Sequence, residues 1–234
     1  MFHFKQFSVD QTGCAMKINT DGVLLGAMVK ADNPQHILDI GTGTGVISLM
    51  LAQRFDTALI DAVEIDEVAA ATAAKNFANS PFQNRLNVHS ESFQRFFDKW
   101  QDKKYDLIVS NPPFYIHSLK SATGNKNVAK HADGNFFSDL ITGVAAHLTP
   151  TAVCCLVLPL QTALLVRELV RTNNLYLHKI IYLYSFKDVK AHREIIAFGP
   201  MKREFSENEF VIYDEPNVYS KEYRNVLRDF LTVF

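Results

Sequence analysis

Short apolar runs alternate with longer segments of mixed polarity along most of the chain. His36-Ile37-Leu38-Asp39-Ile40 is one such run, and others fall at 59–64, 86–89, 105–110 and 151–158. Each has the length and near-continuous hydrophobicity of a strand covered on both faces. Two more runs, near 176–184 and 193–198, follow the same pattern. The intervening segments near 44–54, 67–79, 92–101, 136–147 and 160–172 predict helices, with a terminal helix from about residue 219. Alternation of this kind predicts an α/β fold, a doubly wound, mostly parallel seven-stranded sheet with helices on both faces. The link Ser185 to His192 is too short for a crossover helix, so the last strand is expected to run antiparallel. No internal repeat or low-complexity linker interrupts the pattern. The expectation is one domain over 1–234, in which 1–35 caps a core of 36–234.

Two loops between these elements carry chemistry. After the first strand come Gly41-Thr42-Gly43-Thr44-Gly45 and then the apolar helix from Val46. Glycines permit positive φ and a close approach of backbone to ligand. A dinucleotide fingerprint would space its glycines as G-x-G-x-x-G/A. Here the third glycine comes one residue early, and Val46 stands where Gly or Ala is wanted. Asp39 adds negative charge beside the loop, which suits a ligand ammonium better than a pyrophosphate. The second strand ends on Glu64, placed as acids that grip vicinal ribose hydroxyls are placed. Asp66 next to it reads as a helix N-cap.

The second loop is Asn111-Pro112-Pro113-Phe114, at the end of the fourth strand. The C-terminal edge of an open α/β sheet is where ligands bind. Two prolines stiffen the backbone and remove two N–H donors. They leave an amide side chain, the Pro112 carbonyl and an aromatic ring. Such a set accepts hydrogen bonds from a planar amine and stacks on it. Adenine, guanine, cytosine and a glutamine side chain all present that chemistry.

Asp39, Gly41, Gly43 and Gly45, then Glu64, then Asn111 to Phe114, together resemble the class I S-adenosylmethionine methyltransferases that modify planar nitrogens. More narrowly, Phe4-Lys5-Gln6-Phe7, Met16-Lys17 with Thr20-Asp21-Gly22 and Leu24-Leu25-Gly26, and Tyr219-Ser220 with Tyr223 are similar to the bacterial tRNA1(Val) (adenine-37 N6)-methyltransferase family. The resemblance implies S-adenosyl-L-methionine as cofactor and a tRNA adenosine as substrate. It implies Asn111, Pro112 and Phe114 as catalytic residues, the first two accepting from the amine and the third stacking on the base. Asp39, Gly41, Gly43, Gly45, Glu64, Thr20 and Asp21 are the implied cofactor-binding residues. Ser92 stands where the superfamily usually has an Asp for the cofactor's adenine amine, so Ser92 and Phe93 are assigned to that contact. Glu91 lies one residue out of register.

Composition and charge narrow the partners. A chain of 234 residues with 47% hydrophobic content can bury one sizeable core. No run approaches the length of a membrane span, and no secretory leader opens the sequence. Three cysteines make no disulfide framework, so a reducing cytoplasm is expected, with Cys154 and Cys155 as core residues. A monomer is expected as well. The histidines show no metal-ligand spacing, and no metal is expected. Net charge is −1, yet it is unevenly spread. Residues 117–203 hold 11 Lys or Arg against 5 Asp or Glu, and the rest hold 13 against 20. Lys120, Lys126, Lys130, Lys187, Lys190 and Arg193 are the candidates for phosphate contact. The alternatives are a guanine-N2 rRNA enzyme, a glutamine-directed protein methyltransferase and a non-catalytic module that binds S-adenosylmethionine or RNA. Only 38 residues precede Asp39, too few for the helical domain typical of the protein methyltransferases.

Overall fold

The computed structural model describes residues 1–14, 16–113 and 126–234. A small hairpin of β1 (Phe2–His3) and β2 (Ser8–Val9) leads into helix α1 (Thr20–Met28). The core then runs β3 (His36–Ile40), α2 (Val46–Arg54), β4 (Leu59–Glu64), α3 (Glu67–Ala78), β5 (Leu86–Ser90), α4 (Phe93–Lys99) and β6 (Tyr105–Ser110). It continues through α5 (Lys126–His147), β7 (Leu148–Leu158), α6 (Leu160–Thr172), β8 (Tyr176–Tyr184), β9 (Arg193–Gly199) and β10 (Ser206–Val211). A second hairpin, β11 (Tyr213–Glu215) with β12 (Val218–Tyr219), precedes α7 (Lys221–Leu227).

The central sheet has order β10-β8-β9-β7-β6-β3-β4-β5, eight strands where the sequence pattern predicts seven. The extra one is β10, an edge strand whose Ser206 to Glu209 are all exposed. Too few of its residues are apolar to register as a buried run, and pairing to β8 makes it a strand. As expected, β9 alone is antiparallel to its neighbours β7 and β8. The order reverses between β3 and β6, which sends the loops after these two strands apart and leaves a crevice at their C-terminal ends.

Alternation along each strand divides the core between two faces. Ile37, Val109 and Cys155 pack with α1, α2, α3 and α7, while Leu38, Ile108 and Cys154 pack with α4, α5 and α6. Burial pushes the Cys155 thiol up to about 12 and raises Cys154 as well, so both are inert core groups, as expected from their setting. On the first face the Arg54 guanidinium donates to the carbonyls of Gly26 and Val29, at 2.8 and 2.6 Å, and so fixes the end of α1 against α2.

The two ends of the described chain meet. The Lys5 ammonium donates to the carbonyls of Arg228 and Phe234 at 2.6 and 2.8 Å. The Lys5 N–H donates to the Phe230 carbonyl, and Phe4 bridges Leu231. Phe4 and Phe7 stack with centroids 4.5 Å apart and are buried. The Phe4-Lys5-Gln6-Phe7 signature thus closes the molecule on itself.

Candidate active site

Three glycines with positive φ turn the chain from β3 into α2, with values of 71° at Gly41, 57° at Gly43 and 83° at Gly45. Their reasons differ. A Cβ added at Gly41 or Gly43 meets nothing within 4 Å, so these two keep space open beside the backbone. A Cβ at Gly45 would lie 2.4 Å from Cε1 of the buried Phe77, so Gly45 lets α2 pack on α3.

Side chains from below hold the loop. Asp39 is fully buried, and one of its oxygens accepts from the hydroxyls of Thr42 and Ser48, each at 2.7 Å. Its other oxygen has no partner among the described residues. Burial pushes the Asp39 carboxyl up to about 6, against the lowering pull of those two hydroxyls. Glu64 accepts the Gly43 N–H at 2.8 Å on one oxygen and the Asp66 N–H at 2.9 Å on the other. Asn76 donates to the Thr44 and Asp10 carbonyls, tying the loop to the residues after β2. Asp66 caps α3, as its position predicts.

A cavity of about 310 Å³ opens above the loop at the reversal of strand order, lined by Gly41, Gly43, Glu64, Phe93 and Asn111 among others. Glycine loop, acid and Asn-Pro-Pro segment therefore share one space. Ser110 secures the last of these by donating to the Ile40 carbonyl at 2.7 Å. Pro112 is buried and Pro113 exposed. The Asn111 amide donates through Nδ2 to Asn19 Oδ1 at 3.4 Å. Its Oδ1 is buried and has no hydrogen-bond partner among the described residues. A buried acceptor without a donor costs ~1–3 kcal/mol, and a ligand amine arriving there would recover it.

Other expected residues are placed differently. Asp39 lies beneath the loop rather than on the cavity wall, where its bonds brace the turn. Thr20 and Asp21 do not line the cavity. Thr20 sits against the Tyr223 phenol, and Asp21 pairs with Arg193 at 2.9 Å. Arg193 is thereby a brace between β9 and α1, not an unattached phosphate ligand. Ser92 is on the wall, but its oxygen accepts the Arg95 N–H as N-cap of α4. Glu91 lines the same cavity with its side chain only 14% exposed. Sequence register passed over Glu91, and its type, an acid next to the cap, was the only signal for it. Lys187 and Lys190 are exposed at the same sheet edge as Asn111. Lys126 and Lys130 fall in the first turns of α5, while Phe114 and Lys120 lie outside the described residues. No helix among the described residues is long and apolar enough to cross a membrane.

Comparisons with known proteins identify the family. The family model of the methyltransferase small domain matches residues 14–150. A tRNA1(Val) (adenine(37)-N6)-methyltransferase from Pedobacter heparinus is 44% identical over 233 residues, covering 100% of this chain and 98% of its own. A protein of the same name from Christiangramia forsetii is 40% identical, with 98% and 96% covered. Among solved structures, a predicted O-methyltransferase from Agrobacterium tumefaciens superposes with a TM-score of 0.70 at 14% identity, covering 90% of this chain and 96% of the other. That likeness concerns the fold alone. Sequence and fold together place the chain in the methyltransferase small domain family, among the tRNA1(Val) (adenine(37)-N6)-methyltransferases.

Proposed function

We propose that the protein transfers a methyl group from S-adenosylmethionine to the N6 amine of an adenosine in tRNA, with position 37 of tRNA1(Val), named for its relatives, as target. The observation that carries this reading is the buried Asn111 Oδ1 on the wall of the glycine-loop cavity, which has no partner among the described residues. An acceptor held there takes a hydrogen bond from an amine. The Pro112 carbonyl supplies a second acceptor on a backbone that cannot rotate freely. Together they draw the amine's hydrogens aside, so that its lone pair leaves conjugation with the ring and faces the donor. When bound, S-adenosylmethionine supplies an electrophilic methyl group on sulfur.

The residues present fit that cofactor. Gly41 and Gly43 leave room for a ligand to lie against the backbone. Glu64 keeps lone pairs beyond its two backbone bonds, and these can accept from ribose hydroxyls. For the adenine amine, a donor, the better acceptor is Glu91, because its charged carboxylate has lone pairs to spare beyond Lys99 Nζ at 3.9 Å, whereas the neutral Ser92 oxygen already accepts the Arg95 N–H. Glu91→Ala should therefore weaken S-adenosylmethionine binding by roughly tenfold, the value of one hydrogen bond to a charged group. Ser92→Ala should act mainly on stability. Calorimetry that finds the reverse ranking returns the contact to Ser92.

Asp39 gives the site a pH dependence. Its folded-state carboxyl titrates at about 6, above the ordinary value near 4. A raised pKa means that folding favours the protonated form, so its contribution to stability is complete below about pH 4 and lost as pH rises to 6. Asp39 does not touch the cavity, but the charge of the cofactor's ammonium acts on it through the loop and favours the ionised form instead. Affinity for S-adenosylmethionine should rise with pH through about 6 and then level, and Asp39→Asn should flatten both trends. Titration calorimetry from pH 5 to 8 with an unchanged Kd would detach Asp39 from the cofactor.

Lys187 and Lys190 supply the charge for tRNA phosphates at the same edge. The function itself is tested by incubating the protein with S-adenosylmethionine and tRNA made without modifications. Nucleoside mass spectrometry should find N6-methyladenosine. Methylguanosine, or methylation of protein but not of tRNA, would refute the substrate assignment.

A further inference from the structure

The Asn111 amide can do its work in only one of its two orientations. With Oδ1 toward the substrate it accepts from an amine, and with Nδ2 there it would set donor against donor. We infer that Asn19 is the positioning residue that selects the productive orientation. The inference rests on the reading of Asn111 as the amine acceptor.

The selection starts from a backbone group. Asn19 is the N-cap of α1, and its side-chain oxygen accepts the Gly22 N–H at 2.9 Å. A backbone N–H has only a proton to offer, so the atom facing it must be Oδ1. That fixes the Asn19 amide. The same Oδ1 then faces Asn111 at 3.4 Å, and only Nδ2 of Asn111 can satisfy it. The opposite orientation would bring two acceptor oxygens together. Asn111 Oδ1 is therefore turned away from α1 and left buried on the cavity wall, without a partner among the described residues. A Cβ built at Gly22 would lie 3.4 Å from Asn111 Nδ2, which is ordinary contact distance. The amide rests directly on the first turn of the helix.

That turn is itself held. Asp21 pairs with Arg193 at 2.9 Å, and the far end of α1 is bonded to Arg54. Asn19, just before the Thr20-Asp21-Gly22 signature, thus reaches the chemistry through Asn111.

Two substitutions separate this role from capping. Asn19→Ser keeps an N-cap oxygen but is too short to reach Asn111, whereas Asn19→Asp keeps an acceptor for both donors. Asn19→Ser should lower kcat for tRNA methylation by about three- to tenfold, the value of one neutral hydrogen bond. The KM for tRNA and the calorimetric affinity for S-adenosylmethionine should stay within about twofold. Asn19→Asp should restore most of the loss. The deciding measurement is the double-mutant cycle with Asn111→Ala. If Asn19 acts through Asn111, Asn19→Ser has no further effect on kcat in the Asn111→Ala background. An equal loss in both backgrounds, or no loss in either, overturns the inference. Wild-type turnover by Asn111→Ala alone overturns it too, and locates the failure in the reading of Asn111 rather than in its positioning.

Discussion

Asn111→Ala is expected to lower turnover on tRNA by about 10²–10³-fold, the usual cost of removing one acceptor or donor aimed at a transition state. The magnitude follows from what the amide does at each stage. An aromatic amine in its ground state is nearly planar and donates to Asn111 only moderately well. As nitrogen gives up its lone pair it gains positive charge, and its hydrogens become much better donors. The bond to Oδ1 therefore strengthens along the reaction, which lowers kcat rather than KM when it is lost. Cofactor affinity should change little, because the glycine loop and Glu64 are braced by their own bonds. Single-turnover assays with saturating tRNA, alongside calorimetry, provide both readings. If cofactor affinity falls as far as turnover, Asn111 belongs to the cofactor pocket and the amine is held elsewhere.

Gly45→Ala should be the most damaging single change to stability among the loop residues, at about 2–5 kcal/mol. Two costs add. A side chain in the left-handed region carries a penalty of ~1–2 kcal/mol, at the observed φ of 83°. The added methyl also meets the Phe77 ring at 2.4 Å, and relieving such overpacking costs ~1–3 kcal/mol. Gly41→Ala meets no atom within 4 Å and should show only the conformational part. Its larger effect should fall on S-adenosylmethionine binding, where the methyl intrudes on the cofactor's place. Denaturant midpoints for the two variants test the contrast. Equal midpoints would mean that Phe77 yields and that Gly45 is there for the ligand.

The parallel strands could be read from the sequence because each is covered on both faces and hence apolar throughout. Helix α1 could not. Its residues Gly22 to Gly26 are all buried, so no polar face alternates with an apolar one and no helical period forms. Missing α1 meant missing Asn19 as its cap. At the opposite extreme, β10 is too polar to register, and its pairing with β8 is a tertiary fact. Around the cavity, residue types pointed to several of the lining groups but not to their bonds. Thr20 and Asp21 belong to a recognisable signature, yet one packs on Tyr223 and the other pairs with Arg193. Asp39 was expected beside the ligand and braces the loop from below. Ser92 stands in the expected register, but the start of α4 occupies its oxygen. Such assignments depend on which donor is nearest, and sequence spacing carries no record of that.

The clasp at Lys5 sets an order on synthesis. Its two acceptors lie 223 and 229 residues further along the chain. At ~5–20 residues per second, roughly 10–45 s separate the appearance of Lys5 from that of its partners. Through that interval the hairpin of β1 and β2 lacks the segment it grips, and Phe4 is without the bridge to Leu231. The sheet from β3 to β7 is complete in sequence well before then and can assemble first. Translation therefore hands the nascent chain a core early and its fastening last.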